Sequence, residues 1–171
     1  MSAIMKKYFH DLRVLSIAPN PKGFGFAVIE GRDRLVDWGV ARVWARARIE
    51  FVARVDASIT RYRPALIVLP EIPSEPHRAR TARRLEALHT HARAIGMPVV
   101  IATRDDVRAT FPTTRQARAV KLAEHFPELM AWLPRERRPW MTEDERMYIF
   151  DAIALTVSAC RLSSCEEVVR E

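Results

Sequence analysis

The sequence predicts an α/β fold with a five-stranded mixed sheet, three antiparallel strands followed by two parallel ones, flanked by helices. Three apolar runs near the start are separated only by turn residues, which is typical of an antiparallel meander. Two further apolar runs follow segments with helical periodicity and complete the sheet. With 171 residues and 49% hydrophobic content, the chain is long enough for one well-buried domain, and we predict a single domain over residues 1–171.

The predicted strands and helices alternate along the rest of the chain. Residues 14–17, 24–29 and 35–43 form the meander, and a helix over residues 45–61 packs on it with its arginines towards solvent. Strands at residues 65–71 and 97–102 enclose a helix over residues 73–95, and further helices begin near Arg104 and Thr114. The last helix is predicted to begin at Thr142, with Thr142 as N-cap and Glu145 in the capping-box position. That start would place Asp144 and Asp151 two turns apart on one side of the helix.

Positive charge is concentrated in one part of the chain. Only four of the 28 basic residues are lysines, so 24 are arginines. Residues 77–140 hold 13 basic and 6 acidic residues, whereas the rest holds 15 of each, so this segment carries the whole net charge of +7. Such localisation predicts a nucleic-acid partner, because neutralising phosphates releases counterions. The alternative is a solvated charged face, with arginine favoured by a GC-rich genome.

The basic segment contains seven candidate residues for DNA contact. They are Arg80 and Arg84 in the helix over residues 73–95, Arg115, Arg118 and Lys121 near the next long helix, and Arg137 and Arg138 in a proline-flanked loop. Arginine suits phosphate because its planar group donates two hydrogen bonds at once. Trp132 and Trp140 flank the loop and could stack on unpaired bases. Alternatively, they pin the loop to the core.

Two acidic residues, Glu71 and Asp151, and one alanine are the candidate site positions. Glu71 ends the fourth strand and Asp151 lies at the start of an apolar helical run, and chemistry is often found at such ends. The first strand reads Ser-Ile-Ala-Pro-Asn over residues 16–20, followed by Gly-Phe-Gly over residues 23–25. From Arg13 to Cys160 the chain therefore resembles the RNase H-like superfamily and, within it, the RuvC-type Holliday-junction resolvases.

In that family the first strand reads Gly-Ile-Asp-Pro-Gly, and Ala18 occupies the position of its catalytic aspartate. Glu71 matches the glutamate of the fourth strand, and residues 151–154 match the Asp-Ala-Leu-Ala of the last helix. Tyr148 stands where the family has another acidic or histidine residue. The resemblance implies phosphodiester cleavage with two divalent ions, Mg²⁺ or Mn²⁺, held by carboxylates. Glu71 and Asp151 would be the surviving metal ligands, and Ala18 would mark the vacant first-acid position.

Three explanations for Ala18 stay open: an engineered substitution, natural loss of catalysis, or migration of the active site. Asp144 and Glu75 are the local candidates for a migrated acid. Tyr148 favours natural divergence, since an engineered knockout normally changes a single residue.

The sequence thus leaves two main hypotheses for function. One is a RuvC-like, metal-dependent endonuclease acting on branched DNA with a divergent or incomplete active site. The other is a non-catalytic DNA-binding or scaffold protein of the same fold, and a protein-interaction module is a third possibility. The resemblance also implies a homodimer. The polar, basic segment 1–8 lacks a secretory signal and no run reaches membrane-spanning length, so we predict a cytoplasmic protein without a membrane partner.

Overall fold

The computed structural model of the chain describes residues 12–31, 33–43 and 48–168, with the backbone alone for residues 162–168. The strands are β1 (Arg13–Asn20), β2 (Gly23–Glu30), β3 (Arg34–Arg42), β4 (Leu66–Pro70) and β5 (Val99–Ala102). The α-helices are α1 (Arg48–Tyr62), α2 (Ala79–Ala94), α3 (Arg104–Thr110), α4 (Arg115–His125) and α5 (Met147–Val168). Short 3₁₀ helices span Pro76–Arg78 and Pro127–Trp132. Residues 1–8 and the predicted helix start at residues 45–47 lie outside the described residues.

The strands form one sheet in the order β3-β2-β1-β4-β5. β1 pairs antiparallel with β2, and β2 with β3. β4 pairs parallel with β1, and β5 with β4. Three antiparallel strands therefore precede two parallel ones, which confirms the predicted fold class.

Helices cover both faces of the sheet and divide the core into two layers. Successive side chains of a strand point to opposite faces, so Leu15 packs with Phe51 of α1 and Leu85 of α2, whereas Ala18 packs with Phe150 of α5. Each large apolar side chain buried in this way contributes about 1.5–3 kcal/mol. Within the described part of the chain, no helix is long and apolar enough to cross a bilayer.

The last helix begins later than the sequence predicts. α5 starts at Met147, not at Thr142. The Asp144 carboxylate accepts a hydrogen bond from the backbone N–H of Arg146 at 2.9 Å and also binds the Arg146 guanidinium. These contacts hold Asp144 in a turn before the helix, so the local hydrogen bonds of the acid replace helical ones.

The predicted capping box fails for a related reason. Glu145 pairs with Arg42 of β3 at 3.0 Å and with Lys22 at 3.3 Å, so its carboxylate is engaged by another part of the fold. Because α5 begins after both residues, Asp144 does not share a helix face with Asp151. That part of the sequence prediction is wrong.

Candidate functional site

Position 18 lies where the first and fourth strands end. β1 and β4 pair in parallel as far as Ser16 and Val68, and Ala18 and Glu71 follow towards the carboxyl ends of the two strands. In open α/β sheets ligands bind at this edge. Ala18 is 5% exposed, and its methyl group has no atom that could coordinate a metal ion.

A close contact between β2 and α5 holds the last helix against this part of the sheet. Gly25 is the neighbour of Ala18 in the β1–β2 ladder. A Cβ atom added to Gly25 would lie 2.3 Å from the backbone carbonyl oxygen of Tyr148, so only glycine allows the helix to approach this closely. Tyr148 and Asp151, in the first two turns of α5, are thereby held near Ala18.

One cavity of about 500 Å³ brings together Ala18, Glu71, Tyr148 and Asp151. Five arginines line it beside the two carboxylates: Arg78, Arg104, Arg108, Arg115 and Arg118. The charged lining therefore has an excess of three positive charges. We call this space the arginine cavity.

Asp151 is held by two arginines of α4. Arg118 Nη2 donates to Asp151 Oδ1 at 2.9 Å and Arg115 Nε donates to the same oxygen at 3.4 Å, while Arg115 Nη2 pairs with Oδ2. The side chains of Asp151 and Arg118 are only 20% and 14% exposed. Guanidinium groups therefore engage both carboxylate oxygens, in charge-assisted hydrogen bonds.

Arg115 is the centre of a wider charged group. Its guanidinium also pairs with Glu143 and lies 4.9 Å from the centroid of the Tyr148 ring. Burial lowers the pKa of Arg115, but Asp151, Glu143 and Tyr148 outweigh burial and raise the pKa above its ordinary value. Burial also raises the pKa of Tyr148, despite the opposing effect of Arg115. The tyrosine is thus a neutral phenol at neutral pH and supplies no anionic ligand.

Glu71 has a weaker contact in the arginine cavity. Its Oε1 lies 3.7 Å from Arg104 Nε, and its side chain is 42% exposed. Arg104 binds Glu75 more closely, with Nη2 donating at 2.8 Å. The backbone N–H of Glu75 and the Arg104 guanidinium hold the pKa of the Glu75 carboxyl below its usual range.

The two candidates for a migrated acid both lie elsewhere. Glu75 does not line the arginine cavity. Asp144 lines a different cavity with Phe26 and β3, where it is bound to Arg146. Neither carboxylate lines the arginine cavity beside Ala18.

Solved structures of three resolvases share this fold. RuvC of Thermus thermophilus, solved in complex with a Holliday junction substrate, matches 91% of this chain and 96% of its own at 18% identity, with a TM-score of 0.65. The yeast mitochondrial Holliday junction resolvase Ydc2 matches 98% and 88% at 12% identity, with a TM-score of 0.67. Fowlpox virus resolvase, solved with Holliday junction DNA, matches 88% and 97% at 11% identity, with a TM-score of 0.54.

The chain has a RuvC-like fold. No protein-family model matches the sequence, and neither does any curated protein. Because sequence identity to the three resolvases is below one fifth, the similarity concerns the fold, and the site has to be interpreted from its own residues.

The residues of this RuvC-like fold do not fit a divalent metal centre. Mg²⁺ and Mn²⁺ bind through several oxygen ligands, but position 18 offers none and both oxygens of Asp151 are bound by arginine. Among the described residues, no three His, Cys, Asp or Glu side chains come together at a site that could hold a metal ion. The positive excess in the arginine cavity also repels a cation.

The predicted DNA-contacting residues lie in several different places on the RuvC-like fold. Arg115 and Arg118 line the arginine cavity. Arg80 is exposed on α2, and Arg137 is exposed in the loop before α5. Lys121 is exposed on α4 and lines a separate cavity with His125. A role in DNA binding stays a prediction for each of them.

The two tryptophans that flank the basic loop differ in their surroundings. Trp132 packs edge-on against Trp38 of β3, with the ring centroids 6.5 Å apart. Trp140 is 76% exposed, and the Arg138 guanidinium lies 5.7 Å from its ring centroid. Trp132 therefore has a ring contact with the sheet and is 39% exposed, whereas Trp140 is about twice as exposed and more accessible for stacking on a base.

The structure contradicts the prediction that Arg84 contacts DNA. Arg84 is 3% exposed. Its Nη1 donates to the carbonyl oxygen of Asn20 at 3.0 Å, and its guanidinium lies 5.3 Å from the centroid of the Phe51 ring. Helical spacing places Arg84 near Arg80 on α2. The packing of α2 on β1 encloses Arg84, however, and leaves Arg80 exposed.

Three arginines of the cavity have no role in the sequence predictions. Arg104 directly follows Thr103 at the end of β5, and parallel β4 and β5 end at the same edge of the sheet. The rule that neighbouring parallel strands end at the same edge would have been enough to place Arg104 near Glu71. Arg78 precedes α2 and Arg108 lies on α3, and no sequence signal distinguishes them from the many exposed arginines.

Proposed function

We propose that the chain binds branched DNA through the arginine cavity and exposed basic residues of segment 77–140, and that it binds without cutting. The observation that carries this proposal is the engagement of Asp151 by Arg115 and Arg118 next to an alanine at position 18. A lining of five arginines and two carboxylates attracts a phosphate and disfavours a divalent cation. The substrate class is supported by the similar structures, two of which were solved with Holliday junction DNA.

The surface outside the cavity supports the same proposal. Residues 77–140 carry the whole net charge of +7, and eight of their 13 basic residues lie outside the cavity lining, which suits a partner rich in phosphate. Trp140 is exposed beside Arg138, and an exposed aromatic ring can stack on a base that is unpaired at a branch point. Arg80, Lys121 and Arg137 would contact the DNA backbone.

Fluorescence anisotropy with a labelled four-way junction and a labelled linear duplex, both in EDTA, tests this proposal. We expect the junction to bind about tenfold more tightly than the duplex, with an affinity that falls steeply as salt rises. Trp140→Ala is expected to weaken junction binding by about 1–3 kcal/mol. Met130→Ala, which removes another exposed apolar side chain, serves as the matched control and is expected to change little.

Equal affinity for junction and duplex would remove branched DNA as the ligand. A DNA affinity that does not change with salt would contradict the proposed phosphate contacts and favour a protein-interaction module.

A metal-dependent endonuclease is the second candidate. Ala18, Glu71 and Asp151 line the same cavity, so a carboxylate introduced at position 18 would join the other two. The test is cleavage of a labelled junction with Mg²⁺ or Mn²⁺ by the chain as it is and by Ala18→Asp. We expect neither to cut, because Arg115 and Arg118 keep Asp151 engaged; cutting by the unchanged chain would overturn the binding-only proposal.

A homodimer and a cytoplasmic location stay predictions. The homodimer follows from the resemblance, in which two subunits act symmetrically on one junction. Sedimentation equilibrium of the full chain, alone and with a junction, measures it directly.

A further inference from the structure

The contacts of Asp151 indicate more than the loss of a metal site. We propose that the guanidinium groups of Arg115 and Arg118 take the place of the divalent cation in this fold, and that the arginine cavity binds a phosphate group of DNA with no metal ion. This inference rests on the proposed function and names the chemical group that the cavity takes.

The two arginines are placed as a fixed pair. They lie three residues apart on α4 and so share one face of the helix. Thr114 caps this helix by accepting a hydrogen bond from the backbone N–H of Ala117 at 3.3 Å. Two guanidinium groups carry the charge of one divalent ion, and Asp151 holds both of them in the arginine cavity.

The pair divides its donors unequally. Arg115 directs its donors to Asp151 and Glu143, so it contributes positive charge to the site and leaves the direct contact with phosphate to Arg118. Arg118 donates to Asp151 through Nη2, and its Nη1 forms no hydrogen bond with a described residue. A phosphate oxygen entering the cavity would find donors of Arg118 that no protein oxygen uses.

Two further arginines complete the anion site. Arg78 forms no ion pair with any described residue, and Arg108 has one weak partner, Asp105, at 3.5 Å. Both line the same cavity as Arg118. Arg104 is less available because Glu75 and Glu71 share its charge. The free donors thus come from three different elements that meet around one space, an arrangement that suits a phosphate with several oxygens.

Asp151 has the opposite role in this site from the one it would have in a metal centre. As a metal ligand, its negative charge would hold the cation that binds the phosphate. As the residue that positions Arg115 and Arg118, its charge instead competes with the phosphate. Removing that charge therefore has opposite effects under the two hypotheses.

The experiment compares junction binding by the full chain and by Asp151→Asn, each in EDTA and in Mg²⁺. We expect the unchanged chain to bind equally well in both, and Asp151→Asn to bind as tightly or up to about tenfold more tightly. Arg118→Gln is expected to weaken binding by about tenfold in EDTA. Arg54→Gln, an exposed position on α1 outside both the basic segment 77–140 and the cavity lining, is the matched control and should leave affinity unchanged.

Arg108→Gln guards against misfolding of Arg118→Gln, since the Arg108 side chain is 68% exposed. It is expected to weaken binding several-fold while melting like the unchanged chain. A requirement for Mg²⁺, or loss of binding in a folded Asp151→Asn variant, would overturn the metal-free site and leave the DNA-binding proposal standing.

A separate readout covers the case in which no junction binds. Thermal unfolding in sodium phosphate is compared with unfolding in sodium chloride at equal ionic strength. A phosphate-specific rise in Tm that Arg108→Gln abolishes would assign the cavity to free phosphate, with the proposed function lost. No rise and no junction binding would overturn both proposals.

Discussion

Arg84 and Arg118 lie on helices that cover opposite faces of the sheet, and both are mostly buried, yet their surroundings differ. Arg84 forms no ion pair with the described residues, and its guanidinium is enclosed between Asn20 and the Phe51 ring. Arg118 lines an open cavity with Asp151 and four more arginines. An enclosed guanidinium can only support the fold, whereas one beside a cavity keeps donors for a ligand.

The difference follows from what each helix covers. α2 packs across the body of β1, so its inward arginine meets a backbone carbonyl and an aromatic ring. α4 packs against α5, and its first turn, which carries Arg115 and Arg118, lies near the carboxyl edge of the sheet, where space opens. Position relative to the sheet edge therefore decides whether an arginine is structural or available.

The largest effect is expected from Gly25→Ala, which tests whether the β2–α5 contact forms the cavity. The new Cβ would lie 2.3 Å from the backbone of Tyr148, so α5 would have to move away from the sheet. We expect the free energy of unfolding, measured in urea, to fall by about 3 kcal/mol, and junction binding to weaken as Asp151 shifts.

Gly39→Ala is the matched control, because its new Cβ would meet only the Phe26 ring, at 3.1 Å. A ring at the end of a side chain can give way, so the cost is expected to be below about 1 kcal/mol. Equal stability of the two variants would show that the β2–α5 contact does not hold the helix.

Arg84→Ala sharpens the comparison between the two arginines. The change leaves a space next to Phe51 and removes a donor from the Asn20 carbonyl, so we expect a loss of about 2–3 kcal/mol in urea unfolding. Junction affinity of the folded protein is expected to stay the same, in contrast to Arg118→Gln. A variant of Arg84 that folds normally but binds DNA poorly would place Arg84 on the DNA surface after all.

The smallest expected effect is on the pH dependence of stability and concerns Tyr62, which lies on the same side of the sheet as Arg84. Burial and a hydrogen bond to Asp37 raise the pKa of Tyr62 from 10.0 to about 12. The unfolded chain therefore loses this proton first, and stability is full below about pH 10 and falls as pH rises towards 12. The free energy of unfolding of Tyr62→Phe is expected to fall less than that of the unchanged chain across this pH range. Parallel plots of unfolding free energy against pH for the two proteins would contradict this prediction.

Much of the fold was predictable because its signals are local. Alternating apolar runs and turn residues predict β1 to β3, and the buried run before Glu71 predicts β4. The start of α5 was not predictable in the same way. Thr142 and Glu145 have the spacing of a capping box, but Glu145 finds Arg42 and Lys22, which are distant in sequence.

The candidate site shows the same division. Matching short motifs to a known family placed Ala18, Glu71, Tyr148 and Asp151 in one group, and the structure brings all four to one cavity. Their functional roles stay predictions. The arginines around them were visible in the sequence only as an excess of positive charge.

The sequence by itself determined which segments form the strands, the alanine at position 18 and the segment that carries the net charge, because each depends on residue type and nearby spacing. Only the tertiary structure decided that Arg84 is enclosed, and that Arg115 and Arg118 bind Asp151. A long flexible side chain selects its partner by distance in space, and that distance is set by how the helices pack on the sheet.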